Sequence, residues 1–179
     1  MFVLAYQTQE QAAGAVAETY GIFKQKRSPV PAPLLLMSTS PGLFEVFFAQ
    51  ISYFMRHEAL SFPLLAAIRF LAAQQVCFDH CVDLNKTWLS KTGLLAEDLD
   101  DLAAGRQVAA FSEAENALLA TVARVLRREK IGEDEVQRLR ALGWRDSDIL
   151  DACAQGTNML GMSCLFEAFS KQAGERHPA

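Results

Sequence analysis

Apolar residues recur at helical spacing along nearly the whole chain, and the alternation expected of strands is almost absent. Thr8-Gln9-Glu10-Gln11 has the form of a capping box and opens an alanine-rich segment ending near Lys26, the first predicted helix. Pro29, Pro31 and Pro33 break that helix and predict an extended connector over residues 28–33. Ser40 reads as an N-cap with Pro41 at the first helical position. Leu43, Phe44, Phe47, Phe48, Ile51 and Phe54 follow at helical spacing, so this helix must be mostly buried, as core or as subunit interface. Ser61 caps the next helix, whose Leu64, Leu65, Ile68, Phe70 and Leu71 lead into a cluster of cysteines. Gly93, directly after Lys91-Thr92, predicts the end of the helix that carries Cys81.

The second half continues in the same way. Residues 94–103 form a short predicted helix with an acidic start, and Ser112-Glu113-Ala114-Glu115 is a second capping box opening a helix through Leu118, Leu119, Val122 and Leu126. Residues 133–142 read as a helix stopped by Gly143. From Asp148 to about Lys171 the pattern Ile149, Leu150, Met159, Leu160, Leu165, Phe166 and Phe169 is helical again, with Gly156 and Gly161 as weak points. The predicted fold class is all-α, and no repeat, low-complexity tract or linker requires two domains.

Composition changes this picture only at its edges. The 179 residues suit one compact domain with its own core. A hydrophobic fraction of 51% beside a charged fraction of 21% is that of an ordered globular chain. The net charge is −4, and Lys and Arg form no stripe interleaved with aromatics, which argues against a nucleic-acid partner. No apolar run has the roughly eighteen residues of a membrane span, and the N-terminus lacks a secretory pattern, so a cytoplasmic protein is expected. In a reducing compartment a cysteine pair is more often catalytic, redox-sensing or metal-binding than a structural staple.

The candidate chemistry lies in Cys77-Phe78-Asp79-His80-Cys81, which holds two of the four cysteines. On a continuous helix the four-residue spacing puts both sulfurs on one face, with Cα atoms about 6 Å apart, inside the roughly 4.4 to 6.8 Å that a disulfide tolerates. Such a pair could cycle between dithiol and disulfide. A reactive cysteine works as thiolate, and His80 can serve as proton acceptor or neighbouring cation.

The segment from Leu60 to Leu94, with its helix, the cysteine pair, Asp83-Leu84-Asn85 and the exit Lys91-Thr92-Gly93-Leu94, resembles the core of the AhpD-like family, also called the carboxymuconolactone decarboxylase superfamily. Pro41-Gly42-Leu43, Phe111-Ser112-Glu113-Ala114-Glu115 and Leu139-Arg140-Ala141-Leu142-Gly143-Trp144 look like its flanking landmarks. The resemblance spans residues 34–173, leaving residues 1–33 as an N-terminal helix and proline-rich connector and residues 174–179 as a tail. It implies an AhpD-like helical bundle that assembles as a homotrimer or homohexamer. It also implies thiol-dependent reduction of an organic hydroperoxide, with Cys81 peroxidatic, Cys77 resolving, His80 assisting, a dithiol protein as reductant, and no cofactor. Redox members of that family carry Cys-x-His-Cys, a histidine four residues further on and a glutamate inside the preceding helix. Aligned on Cys81, the first cysteine lies at Cys77 where the pattern points to Phe78, the histidine position holds Asn85, and the glutamate position falls on Leu65 or Ala66. Asp79, Asp83 and Glu58 are the carboxylates available to take the place of that glutamate.

Two other functions belong to the same resemblance. One is acid–base decarboxylation of a lactone acid, which needs no cysteine pair; the other is a non-catalytic oligomeric binding protein that keeps the fold. A structural zinc site would want a fourth ligand beside Cys77, His80 and Cys81. Cys153 and Cys164, three turns apart, read as core; His57-Glu58 reads as a solvated charge cluster rather than a catalytic dyad, and His177 as part of a mobile end.

Overall fold

The computed structural model describes residues 2–75 and 79–171, with the backbone path alone for residues 79–81. Nine helices form among the described residues: α1 (Gly14–Gln25), α2 (Ala32–Met37), α3 (Pro41–Met55), α4 (Phe62–Gln75), α5 (Asp79–Lys91), α6 (Ala96–Ala103), α7 (Glu113–Leu126), α8 (Glu133–Ala141) and α9 (Asp146–Phe169). The only extended pairing among those residues is an isolated bridge between Phe2 and Ser170, so the all-α expectation holds. None of the described helices is long and apolar enough to cross a membrane. Two compact units result, Met1–Met55 with Cys164–Ala179, and Arg56–Ser163.

In the first unit α3 packs against α1 and α2. Tyr20 of α1 stands edge-on to Phe44 of α3 at 6.1 Å, and its hydroxyl donates toward the carbonyls of Gln7 at 3.2 Å and Leu34 at 3.4 Å. A buried phenol that finds acceptors in this way fixes the direction of its helix as well as its depth. Phe2 stacks edge-on against Phe166 at 4.8 Å, beside a 2.9 Å bond from the Val3 N–H to the Phe169 carbonyl.

Three expectations change in this unit. Thr8 does not start a helix: residues 9–11 form a turn, the Ala12 N–H donates to the Thr8 carbonyl, and α1 begins only at Gly14. The side chain of Gln7 accepts from the N–H of Ala13, the N-cap of α1, at 3.1 Å, the donor that the glutamate of a capping box would otherwise meet. Residues 28–33 are not all connector, because α2 starts at Ala32 with Pro33 in its first turn, where a missing N–H is harmless. Finally, a single chain does not bury most of α3. Phe44 and Phe54 are buried, but Leu43, Val46 (67% exposed), Tyr53 and Met55 (79%) face outward, since a single chain covers only one side of an apolar helix.

The second unit is organised around α4, which contacts α5, α6 and α7. Its cap is the expected one, with the Leu64 N–H donating to Ser61 Oγ at 3.3 Å. Leu64, Leu65, Ala66, Ala67, Ile68, Phe70, Leu71, Ala72 and Ala73 are all buried, as befits a helix apolar on every side. Gly93 ends α5 with φ +101°, and the Leu94 N–H reaches back to the Leu89 carbonyl at 3.2 Å, the left-handed stop its sequence predicted. Gly156 sits where α9 approaches α4 and α7: a Cβ there would meet Val122 at 3.2 Å, Leu126 at 3.3 Å and Ile68 at 3.5 Å. The glycine that weakened the helix prediction is therefore a contact residue.

Candidate functional site

The site predicted from sequence falls at the junction of α4 and α5. Cys77 and Phe78 lie outside the described residues, and so does His177. His80 and Cys81 belong to the first described turn of α5, by backbone path alone. Helices α4 and α5 fold back on each other, because Arg69 and Asn85, sixteen positions apart, share a hydrogen bond between side chains. Cys81 thus enters a new helix instead of continuing α4.

The described surroundings show what stands in place of the acid–base residues. Leu65 and Ala66 are buried in α4, so no carboxylate occupies either position. Asn85, one turn beyond Cys81, is 1% exposed. Its Oδ1 accepts from Arg69 Nε at 3.2 Å. The Arg69 guanidinium also lies 5.3 Å from the Trp88 ring centroid and 5.8 Å from that of Phe62, and those two rings meet at 5.7 Å. Burial pulls the Arg69 guanidinium down to about 10, which leaves it protonated at neutral pH. Arg69 belongs to none of the sequence motifs. The available signal was its isolation: it is the only charged residue of α4, and a charge inside an apolar helix demands an explanation.

Elsewhere in this unit a cavity of about 240 Å³ is bounded by Leu71, Leu102, Asn116, Arg106, Arg124 and Arg138. Its arginines are already engaged, Arg106 by Asp101, Arg124 by Glu129 and Glu135, and Arg138 by Glu113 at 3.9 Å. His57 is not part of a solvated cluster. Its side chain is 4% exposed, with Nε2 3.2 Å from Asp151 Oδ2, because the segment between α3 and α4 turns it inward. The core placement expected for the other cysteines also fails. Cys164 is exposed, and Cys153 is only partly buried, its thiol pushed up by burial and then by Glu135.

The fold can be compared with solved structures. An uncharacterized peroxidase-related protein from Ralstonia eutropha JMP134, described as an alkylhydroperoxidase AhpD core, superposes with a TM-score of 0.76 at 16% identity over 92% of this chain and 88% of its own. The chain has the AhpD-like fold. An uncharacterized peroxidase-related protein from Silicibacter sp. TM1040 gives a TM-score of 0.71 at 19% identity, covering 87% of this chain and 85% of its own. A protein of unknown function from Agrobacterium tumefaciens, provisionally assigned to antioxidant defence as AhpD, gives 0.60 at 21% identity, covering 78% and 93%. No family model and no curated protein matches the sequence. The AhpD-like bundle inferred from motif order is borne out as a fold; at these identities the likeness carries no activity.

Proposed function

We propose that the protein is a thiol-dependent peroxidase that reduces organic hydroperoxides through Cys81 and Cys77. The observation that carries this reading is a Cys-x-x-His-Cys sequence that begins after α4 and ends in α5 of an AhpD-like fold. Cys81 in the first described turn of α5 supports it, since the positive end of a helix favours a thiolate. In the proposed cycle the Cys81 thiolate attacks the terminal oxygen of the hydroperoxide. The O–O bond breaks, the alcohol leaves with a proton passed through His80, and Cys81 becomes a sulfenic acid. The Cys77 thiol condenses with it, giving a disulfide and water. A dithiol protein then reduces the disulfide by exchange and is itself oxidised. A cytosolic setting and assembly as a homotrimer or homohexamer belong to the same reading, and the exposed apolar row of Leu43, Val46 and Tyr53 on α3 supports the assembly.

A second reading, an AhpD-like binding protein without turnover, is favoured by buried Leu65 and Ala66 and by Asn85, none of which can relay a proton as a carboxylate or imidazole does. One experiment separates the two. Turnover of cumene hydroperoxide with dithiothreitol is expected in the native protein and lost in Cys81→Ser, with a Cys77–Cys81 disulfide detected by mass spectrometry after one equivalent of peroxide. Equal slow rates in both proteins and no disulfide would establish the binding reading instead.

A further inference from the structure

Arg69 is the one charged residue in a helix buried nearly all the way round. A guanidinium withdrawn from water is normally matched by a carboxylate, because the desolvation of an unmatched charge is costly. Here no carboxylate among the described residues supplies that match. Among the described residues Arg69 forms no ion pair, and its single hydrogen bond goes through Nε to Asn85, a neutral amide. Phe62 and Trp88 supply the faces of two rings, which attract a cation but do not neutralise it.

The remaining donors have somewhere to go. Every fully buried side-chain nitrogen and oxygen among the described residues has a hydrogen-bond partner, whereas Arg69, itself only partly buried, bonds through Nε alone; its two Nη groups therefore keep some contact with solvent. The surface they reach is apolar. Phe62 is half exposed and Trp88 partly so, and their rings contact each other beside the guanidinium. With Nε fixed by Asn85, the paired Nη donors present an oriented fork of the kind that binds two carboxylate oxygens. One cation with no second basic group in its described contacts suits a monoanion better than a phosphate dianion.

We propose that Arg69, oriented by Asn85 and flanked by Phe62 and Trp88, binds the carboxylate of an organic acid whose apolar body lies against the two rings. The site is independent of the peroxidase reading, since it requires neither cysteine.

Calorimetric titration of the full-length protein with octanoate, and with octanol as the uncharged counterpart, tests it. Saturable octanoate binding is expected, about tenfold or more tighter than octanol, with a loss of about tenfold or more in Arg69→Met. Methionine is close in volume and removes a buried charge without adding one, so the variant is expected to fold. The octanoate and octanol comparison on the native protein stands even if it does not. Equal affinity for acid and alcohol, or undiminished octanoate binding by a folded Arg69→Met protein, would overturn the proposal.

Discussion

His57 and Asp151 are paired across the second unit, with Nε2 3.2 Å from Oδ2 and the histidine side chain nearly excluded from solvent. The other ring nitrogen settles the tautomer. Nδ1 accepts from the Ala59 N–H at 3.2 Å and the Leu60 N–H at 3.0 Å, so it carries no proton, and Nε2–H is the donor to the carboxylate. One imidazole thereby ties the segment before α4 to the second turn of α9.

Removing that tie is expected to destabilise the protein. His57→Ala strands two backbone donors and removes one partner of the Asp151 carboxylate, and a loss of about 2 kcal/mol follows from the usual cost of unmet buried groups. His57→Asn keeps an acceptor in reach of the Ala59 and Leu60 amides and is expected to lose about half as much. Urea denaturation of both variants checks the order; equal losses would show that the backbone bonds contribute nothing.

Acid sensitivity is expected at the start of α9. The Asp148 carboxyl, 3% exposed, accepts from Arg145 Nε at 2.9 Å, from Arg145 Nη2 at 2.8 Å and from the Arg145 backbone N–H at 3.1 Å. The Arg145 side chain holds this carboxyl below the usual carboxylate range, outweighing burial, which pushes it up, and the backbone N–H adds to the lowering. A folded-state value below the unfolded one stabilises the protein fully above the unfolded value near 3.9, and the contribution disappears as pH falls through the folded value. Asp148→Asn is therefore expected to cost about 2 kcal/mol at neutral pH, a gap that closes below about pH 4. Urea midpoints of the two proteins against pH measure it, and a gap independent of pH would assign the effect to packing.

How much of this was readable in sequence depends on the range of each interaction. Ser61, Ser112 and Gly93 announced their helix ends correctly because the bonds involved span only a few residues, as in the 3.2 Å contact from the Glu115 N–H to Ser112 Oγ. Thr8 carried an equally good local signal and failed, since Gln7 reaches over to the Ala13 N–H and the helix starts later. The prolines at positions 29 to 33 hid α2 because the same residue that breaks a helix interior can begin a helix. At the candidate site, motif order pointed to Asn85 where the resemblance expects histidine, while the new helix that starts ahead of Cys81 gave no local signal. The bond from Arg69 to Asn85 was invisible, since it depends on two helices folding back on each other.

The two glycines of α9 give opposite expectations. In an exposed helix interior, glycine is less favourable than alanine by roughly 0.8 to 1 kcal/mol, so Gly→Ala should stabilise unless the new methyl has no room. Gly161 has room: nothing lies within 4 Å of a Cβ built there, and Gly161→Ala is expected to add about 0.5 to 1 kcal/mol. Gly156 does not. Its Cβ would stand 3.2 Å from Val122 Cγ1 and 3.3 Å from Leu126 Cδ2, two buried side chains of α7 that can yield only by disturbing the core. Overpacking of this kind costs about 1 to 3 kcal/mol, so the propensity gain is offset or exceeded and Gly156→Ala is expected to lower stability by about 1 kcal/mol. Thermal melts of the two variants should move in opposite directions. If both rose, α9 would have space to draw away from α4 and α7, and the close approach would not be what retains glycine at position 156.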